Sequence, residues 1–135
     1  MAFLDFTEKL SVKISKIDEQ HKELIQIIND LHTAMGSGKG RIAIYDILAR
    51  LVDYTKMHFS TEERLMAQHR YPDQNNHEVQ HSDLIRQVDV INRKVETGQV
   101  SVTIETMDFL KKWLNNHILL TDKQFGVYLS GKGVK

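Results

Sequence analysis

Apolar residues recur along this chain at intervals of three and four, and the recurrence divides it into four amphipathic stretches. Ile17, His21, Leu24, Ile28, Leu31 and Met35 form the first stripe, which the glycines of Gly36-Ser37-Gly38-Lys39-Gly40 interrupt. Ile44, Leu48, Leu51, Thr55, His58, Glu62 and Leu65 form the second, closed by Arg70-Tyr71-Pro72-Asp73 because proline clashes with the helical turn before it. His77, His81, Leu84, Val88, Ile91 and Val95 make the third, up to Thr97-Gly98, and Met107, Leu110, Leu114 and His117 the fourth. The spacing predicts helices over about 18–36, 41–68, 74–96 and 101–119, with Asp18 and Ser101 as N-caps. Short connections between helices of matched length imply an all-α, up-down-up-down antiparallel four-helix bundle. Residues 1–16 show no helical stripe and read as an extended arm packed on the bundle. Phe125, Val127 and Tyr128 mark a short amphipathic helix over about 122–129. Without repeats or linkers, residues 1–135 read as a single domain.

Several polar residues interrupt those stripes. His58 and Glu62 are four apart, as are His77 and His81, so each pair stacks on one helical face. His21 lies near the start of its helix, and His117 near the end of the last. In an antiparallel bundle the start of one helix is level with the end of the next. All six side chains therefore fall at one end of the bundle and point inward. A buried Glu62 carboxylate needs a partner, and its stripe carries no lysine or arginine. A cation beside neutral imidazoles would meet that need. Asp122 is a further candidate, but it stands five residues after His117, about 140° away on a regular helix. For both to reach one site the helix must end or distort between them, and Leu119-Leu120-Thr121 contains no breaker. His32 lies off its stripe and His69 at a helix end, so both read as ordinary surface or boundary residues. Glu63 reads as solvated.

Composition narrows the chemistry. Lys and Arg number 18 and Asp and Glu 18, a balance that gives no reason to expect nucleic acid or an anionic membrane as partner. The absence of cysteine excludes disulfides, thiolate zinc sites and iron–sulfur clusters. No apolar run would span a bilayer, and the N-terminus lacks the features of a secretory signal, so the expected location is the cytoplasm. Histidine with carboxylate suits iron, zinc, copper or manganese. Five imidazoles are too many for one tetrahedral ion. Two octahedral ions with Glu62, Asp122 and an oxide or hydroxide as bridges would be one ligand short of full. That leaves one open position in a dry pocket, fit for a diatomic ligand.

The motifs I-D-E-Q-H at 17–21, H-F-S-T-E-E at 58–63, H-E-V-Q-H at 77–81 and W-L-N-N-H-I-L-L-T-D at 113–122 resemble the haemerythrin family, in particular its stand-alone bacterial members. The resemblance spans about residues 5–128. It implies two non-haem iron ions with a bridging oxo or hydroxo group and O2 as ligand. His77, His81 and His117 would hold one iron, His21 and His58 the other, and Glu62 and Asp122 would bridge them. Bacterial members commonly carry Trp near Phe6 and Gly near Lys13; both departures lie in the arm.

The function implied is reversible O2 binding, for transport or storage, by a protein that is not an enzyme. Leu114, one turn before His117, is expected to line the O2 pocket. The alternatives are an O2 or redox sensor module and a di-iron enzyme scavenging nitric oxide or peroxide. A monomer is expected, since no apolar stripe is left over once four helices have packed.

Overall fold

The computed structural model describes residues 3–36, 41–97 and 104–135. Its elements are α1 (Ser15–Gly36), α2 (Arg41–Gln68), α3 (Gln74–Glu96), α4 (Ile104–Asn116) and α5 (Lys123–Gly131), with no strand among the described residues. Helix α1 packs on α2, α2 on α3, and α1 on α4, as in a four-helix bundle. The apolar stripes supply its core: Ile17, Leu24, Ile28 and Leu31 of α1, Leu48 and Leu51 of α2, Leu84, Val88 and Val95 of α3, and Met107, Leu110 and Leu114 of α4 are all buried. No helix among the described residues is long and apolar enough to cross a membrane.

The arm departs from the expectation in three respects. It is not extended throughout, since Glu8–Leu10 makes a 3-10 turn. Helix α1 begins at Ser15, so Asp18 lies in its first turn and is not its N-cap. Ile14 is already in phase with the buried stripe, and its carbonyl accepts the Asp18 backbone N–H at 2.9 Å. The Asp18 carboxylate turns back onto the arm, accepting the Val12 N–H at 2.8 Å and the Ser11 hydroxyl at 2.6 Å. Between those contacts Lys13 adopts a φ of 64°, the left-handed region that favours glycine. That conformation gives a physical reason why the resemblance leads one to expect glycine near this position. Phe6 is half-buried, with the Lys22 ammonium 5.0 Å from its ring centroid. Farther out, Leu4 exchanges two hydrogen bonds with the Asn29 amide, at 2.8 and 2.9 Å.

At the other end, α4 and α5 are not separated by a loop. Residues His117–Asp122 form a π-helical segment whose flanks, Asn116 and Lys123, keep α-helical dihedrals. The buried face of α5 is Phe125 and Leu129, whereas Val127 is 74% exposed. Four-residue spacing governs this helix, which is why the Phe125–Val127–Tyr128 pattern misplaces its face. Gly126 lies so close to the arm that a Cβ there would stand 2.9 Å from the Cβ of Val12. Ser101, expected as the N-cap of α4, lies outside the described residues.

Candidate metal centre

Helix α1 contributes His21, α2 contributes His58 and Glu62, α3 contributes His77 and His81, and the π segment contributes His117 and Asp122. All are buried, His117 being the most accessible at 4%. Their donor atoms fall into two groups, each mutually within 4.8 Å: His77, His81, His117, Glu62 and Asp122 in one, and His21, His58, Glu62 and Asp122 in the other. The two carboxylates belong to both groups.

The π segment brings Asp122 into this cluster. Its i→i+5 hydrogen bonding widens the turn, so residues five apart come level on one face. His117 Nε2 lies 3.0 Å from Asp122 Oδ1, which also receives His77 Nε2 at 2.8 Å, while Asp122 Oδ2 lies 3.0 Å from His21 Nε2. The distortion required by the five-residue spacing takes this form, a widened turn in a helix that does not end.

The outward nitrogens of three imidazoles are anchored. His58 Nδ1 donates to Gln20 Oε1 at 2.6 Å, His117 Nδ1 to Gln80 Oε1 at 3.0 Å, and His81 Nδ1 to Glu63 Oε2 at 2.9 Å. An amide carbonyl or a carboxylate only accepts, so each contact puts a proton on Nδ1 and leaves the inward Nε2 to take either a second proton or a cation. His81 Nε2 and His117 Nε2 face each other at 3.2 Å. Both Glu62 oxygens are buried without a hydrogen-bond partner, although His58 Nε2 and His81 Nε2 stand 3.3 Å from Oε1. Converging imidazole nitrogens and orphaned carboxylate oxygens are what a cation satisfies, and the donor set fits iron.

Glu63 is therefore not simply solvated. One residue past Glu62 it is rotated about 100° around α2, which directs it toward α3. Stripe periodicity does not single out Gln20 or Gln80, yet all three anchors share a pattern. Each is a polar residue adjoining a candidate ligand on its own helix and reaching a ligand on a neighbouring one. His32 is exposed and stacks on Phe3 of the arm, and His69 offers its carbonyl to the Tyr128 hydroxyl at 2.5 Å, so neither enters the cluster.

Burial and the Asp122 charge push the Glu62 carboxyl upward, but His58 and His81 outweigh them and hold it at about 2. Burial likewise opposes ionisation of Asp122, and His117, His21 and His77 overcome it, leaving that carboxyl well below the usual range. For His77, burial disfavours the charged form, but the Asp122 contact prevails and raises its pKa. Both carboxylates are thus ionised, and they attract positive charge to the centre of the bundle.

Beside the cluster lies an apolar cavity of about 20 Å³, lined by Leu24, Leu51, Phe59, Leu84, Trp113 and Leu114 among others. That volume holds one or two small atoms. Phe59 stacks on the His81 ring with centroids 3.7 Å apart, and Trp113 on His117 at 4.5 Å, so the aromatic walls of the cavity are also supports of the imidazoles.

Fold and cluster together define a helical bundle built to present buried histidine and carboxylate donors to a cation. The chain belongs to the haemerythrin family: the Hemerythrin HHE cation binding domain matches residues 12–129. It is 33% identical over 131 residues to the bacteriohemerythrin of Methylococcus capsulatus, covering 96% of this chain and 99% of that protein. With the bacteriohemerythrin of Pseudomonas aeruginosa it shares 38% identity over 118 residues, 87% of this chain and 76% of the other. A crystal structure of wild-type hemerythrin superposes with a TM-score of 0.91 at 32% identity, covering 96% and 99% of the two chains.

Proposed function

We propose that this protein binds O2 reversibly, as a carrier or store, at a pair of non-haem irons held by His21, His58, Glu62, His77, His81, His117 and Asp122. The observation that carries the reading is the division of the donors into two groups that share both carboxylates. One group has three imidazoles and the other two, so the second has room for an external ligand. An iron pair so placed supplies the electrons that reversible O2 binding needs.

The side chains around it perform three tasks. Glu62 and Asp122, kept ionised, balance cationic charge in an interior where, among the described residues, no other anion is as deeply buried. Gln20, Gln80 and Glu63 orient imidazoles through their Nδ1 protons, so that Nε2 is presented inward. Leu114 and its apolar neighbours keep the cavity dry and small, which admits a diatomic molecule and excludes bulk water. Dioxygen is then the principal partner, taken up by a single copy of the chain. Neutral imidazole donors stabilise high-valent iron less well than a carboxylate-rich site, which favours binding over oxidation of a substrate.

The test is the optical spectrum of the anaerobically reduced, iron-loaded protein, recorded before air, after air and after removal of O2. A visible band that develops with air and vanishes on deoxygenation is the expected result. A band that forms once and never reverses would move the assignment to a redox sensor or to an enzyme acting on nitric oxide or peroxide.

A further inference from the structure

We infer that the two halves of the donor cluster take up cations in a fixed order, the three-histidine half first, and that Glu63 is the positioning residue that sets this order. The inference rests on reading the cluster as a metal centre. Because Glu62 and Asp122 belong to both halves, the carboxylates cannot distinguish them. The difference must come from the imidazoles and from what holds them.

In the first half, His81 Nδ1 donates to the Glu63 carboxylate at 2.9 Å and His117 Nδ1 to the Gln80 amide at 3.0 Å. The same two rings are supported on their faces by Phe59 and Trp113. The Gln80 oxygen also accepts the Thr121 hydroxyl at 2.9 Å, so one amide ties α3 to both ends of the π segment. In the second half, His58 donates to the neutral Gln20 amide; the buried Nδ1 of His21 has no hydrogen-bond partner among the described residues, nor has that of His77 in the first half, so two of three rings are anchored there against one of two here. A carboxylate acceptor makes the opposite nitrogen of an imidazole a stronger donor, whereas an amide mainly orients the ring. Glu63 thus gives the first half the one outer negative charge that, among the described residues, directly contacts a ligand-type imidazole. That half has more donors, firmer supports and the stronger base.

Anaerobic titration of the metal-free protein with Co2+, followed by absorption and by heat, tests the order. Wild type should show two steps of one equivalent each, and His21→Ala should lose the second. Glu63→Leu should weaken the first step by about 10- to 100-fold, merging it with the second. Glu63→Gln, which keeps an acceptor and removes the charge, should fall between. Single-step uptake by wild type, or a first step unaltered in both Glu63 variants, would overturn the order while leaving the metal centre standing. Failure of wild type to take up Co2+ would overturn both.

Discussion

His117 and Asp122 are five residues apart, yet the imidazole Nε2 of one lies 3.0 Å from the carboxylate Oδ1 of the other. An α-helix would turn them about 140° away from each other, and the π segment brings them together. A π turn is equivalent to one extra residue in an α-helix. Leu120, 66% exposed within it, is the residue to remove.

Deleting Leu120 should convert the five-residue spacing into the four-residue spacing of an α-helix, which also puts both side chains on one face. The deletion variant is expected to fold and to bind metal within about tenfold of wild type, a change close to 1.4 kcal/mol. Inserting one alanine after Leu120 should swing Asp122 away and reduce the metal bound per chain. Metal analysis after gel filtration distinguishes the two results, and equal binding by both variants would contradict the role given to the turn.

Leu114→Ala should enlarge the dry cavity beside the cluster. Truncating a buried leucine costs about 2–5 kcal/mol, to be read from denaturant melts. Water admitted to the enlarged space should also shorten the life of the air-bound form. An oxidation rate equal to that of wild type, measured from the visible band, would remove Leu114 from the pocket.

The metal-free protein should be most stable in weak acid. Glu62 and Asp122 have lowered pKa values, so their contribution is present above the ordinary carboxylate range and is lost as pH falls toward the folded-state values. His77 has a raised pKa, so its contribution is full below the ordinary value of 6.5 and is lost as pH rises through the folded-state value. A cation must displace protons from these imidazoles, so its affinity rises with pH. Thermal melts from about pH 5 to pH 8 should therefore show the gap between iron-loaded and metal-free protein widening. A constant gap would show that the imidazole protons do not compete with the cation.

Lys13→Gly should raise Tm by about 3 °C, because glycine adopts a positive φ without strain. The Lys13–Glu8 ion pair that it removes joins side chains 68% and 78% exposed, where such pairs count for little. An unchanged or lower Tm would show that the arm tolerates the left-handed residue at no cost.

The sequence made the inward direction of the candidate ligands legible because helical periodicity alone puts His58 with Glu62 and His77 with His81 on buried faces. The same arithmetic shows that something must happen between His117 and Asp122. It does not show what, because Leu119-Leu120-Thr121 carries no residue that marks a π turn. The anchors leave a weaker mark in the sequence. Whether Glu63 meets water or His81 depends on which helix lies beside that flank of α2, and stripe periodicity describes only the buried face. The start of α1 at Ser15 is hidden for a related reason: Asp18 has the chemistry of a cap, but its carboxylate is spent on the arm.

About three quarters of the chain lies between His21 and Asp122. An ion gripping both would act as a non-covalent clasp, fastening α1 to the π segment across a loop of about 100 residues. A covalent link closing a loop of that length removes roughly 5 kcal/mol of unfolded-chain entropy. This cysteine-free chain has no disulfide to do so. The centre would thus also be the point at which the first and last helices of the bundle are held to one another, a restraint that loss of the ion would remove.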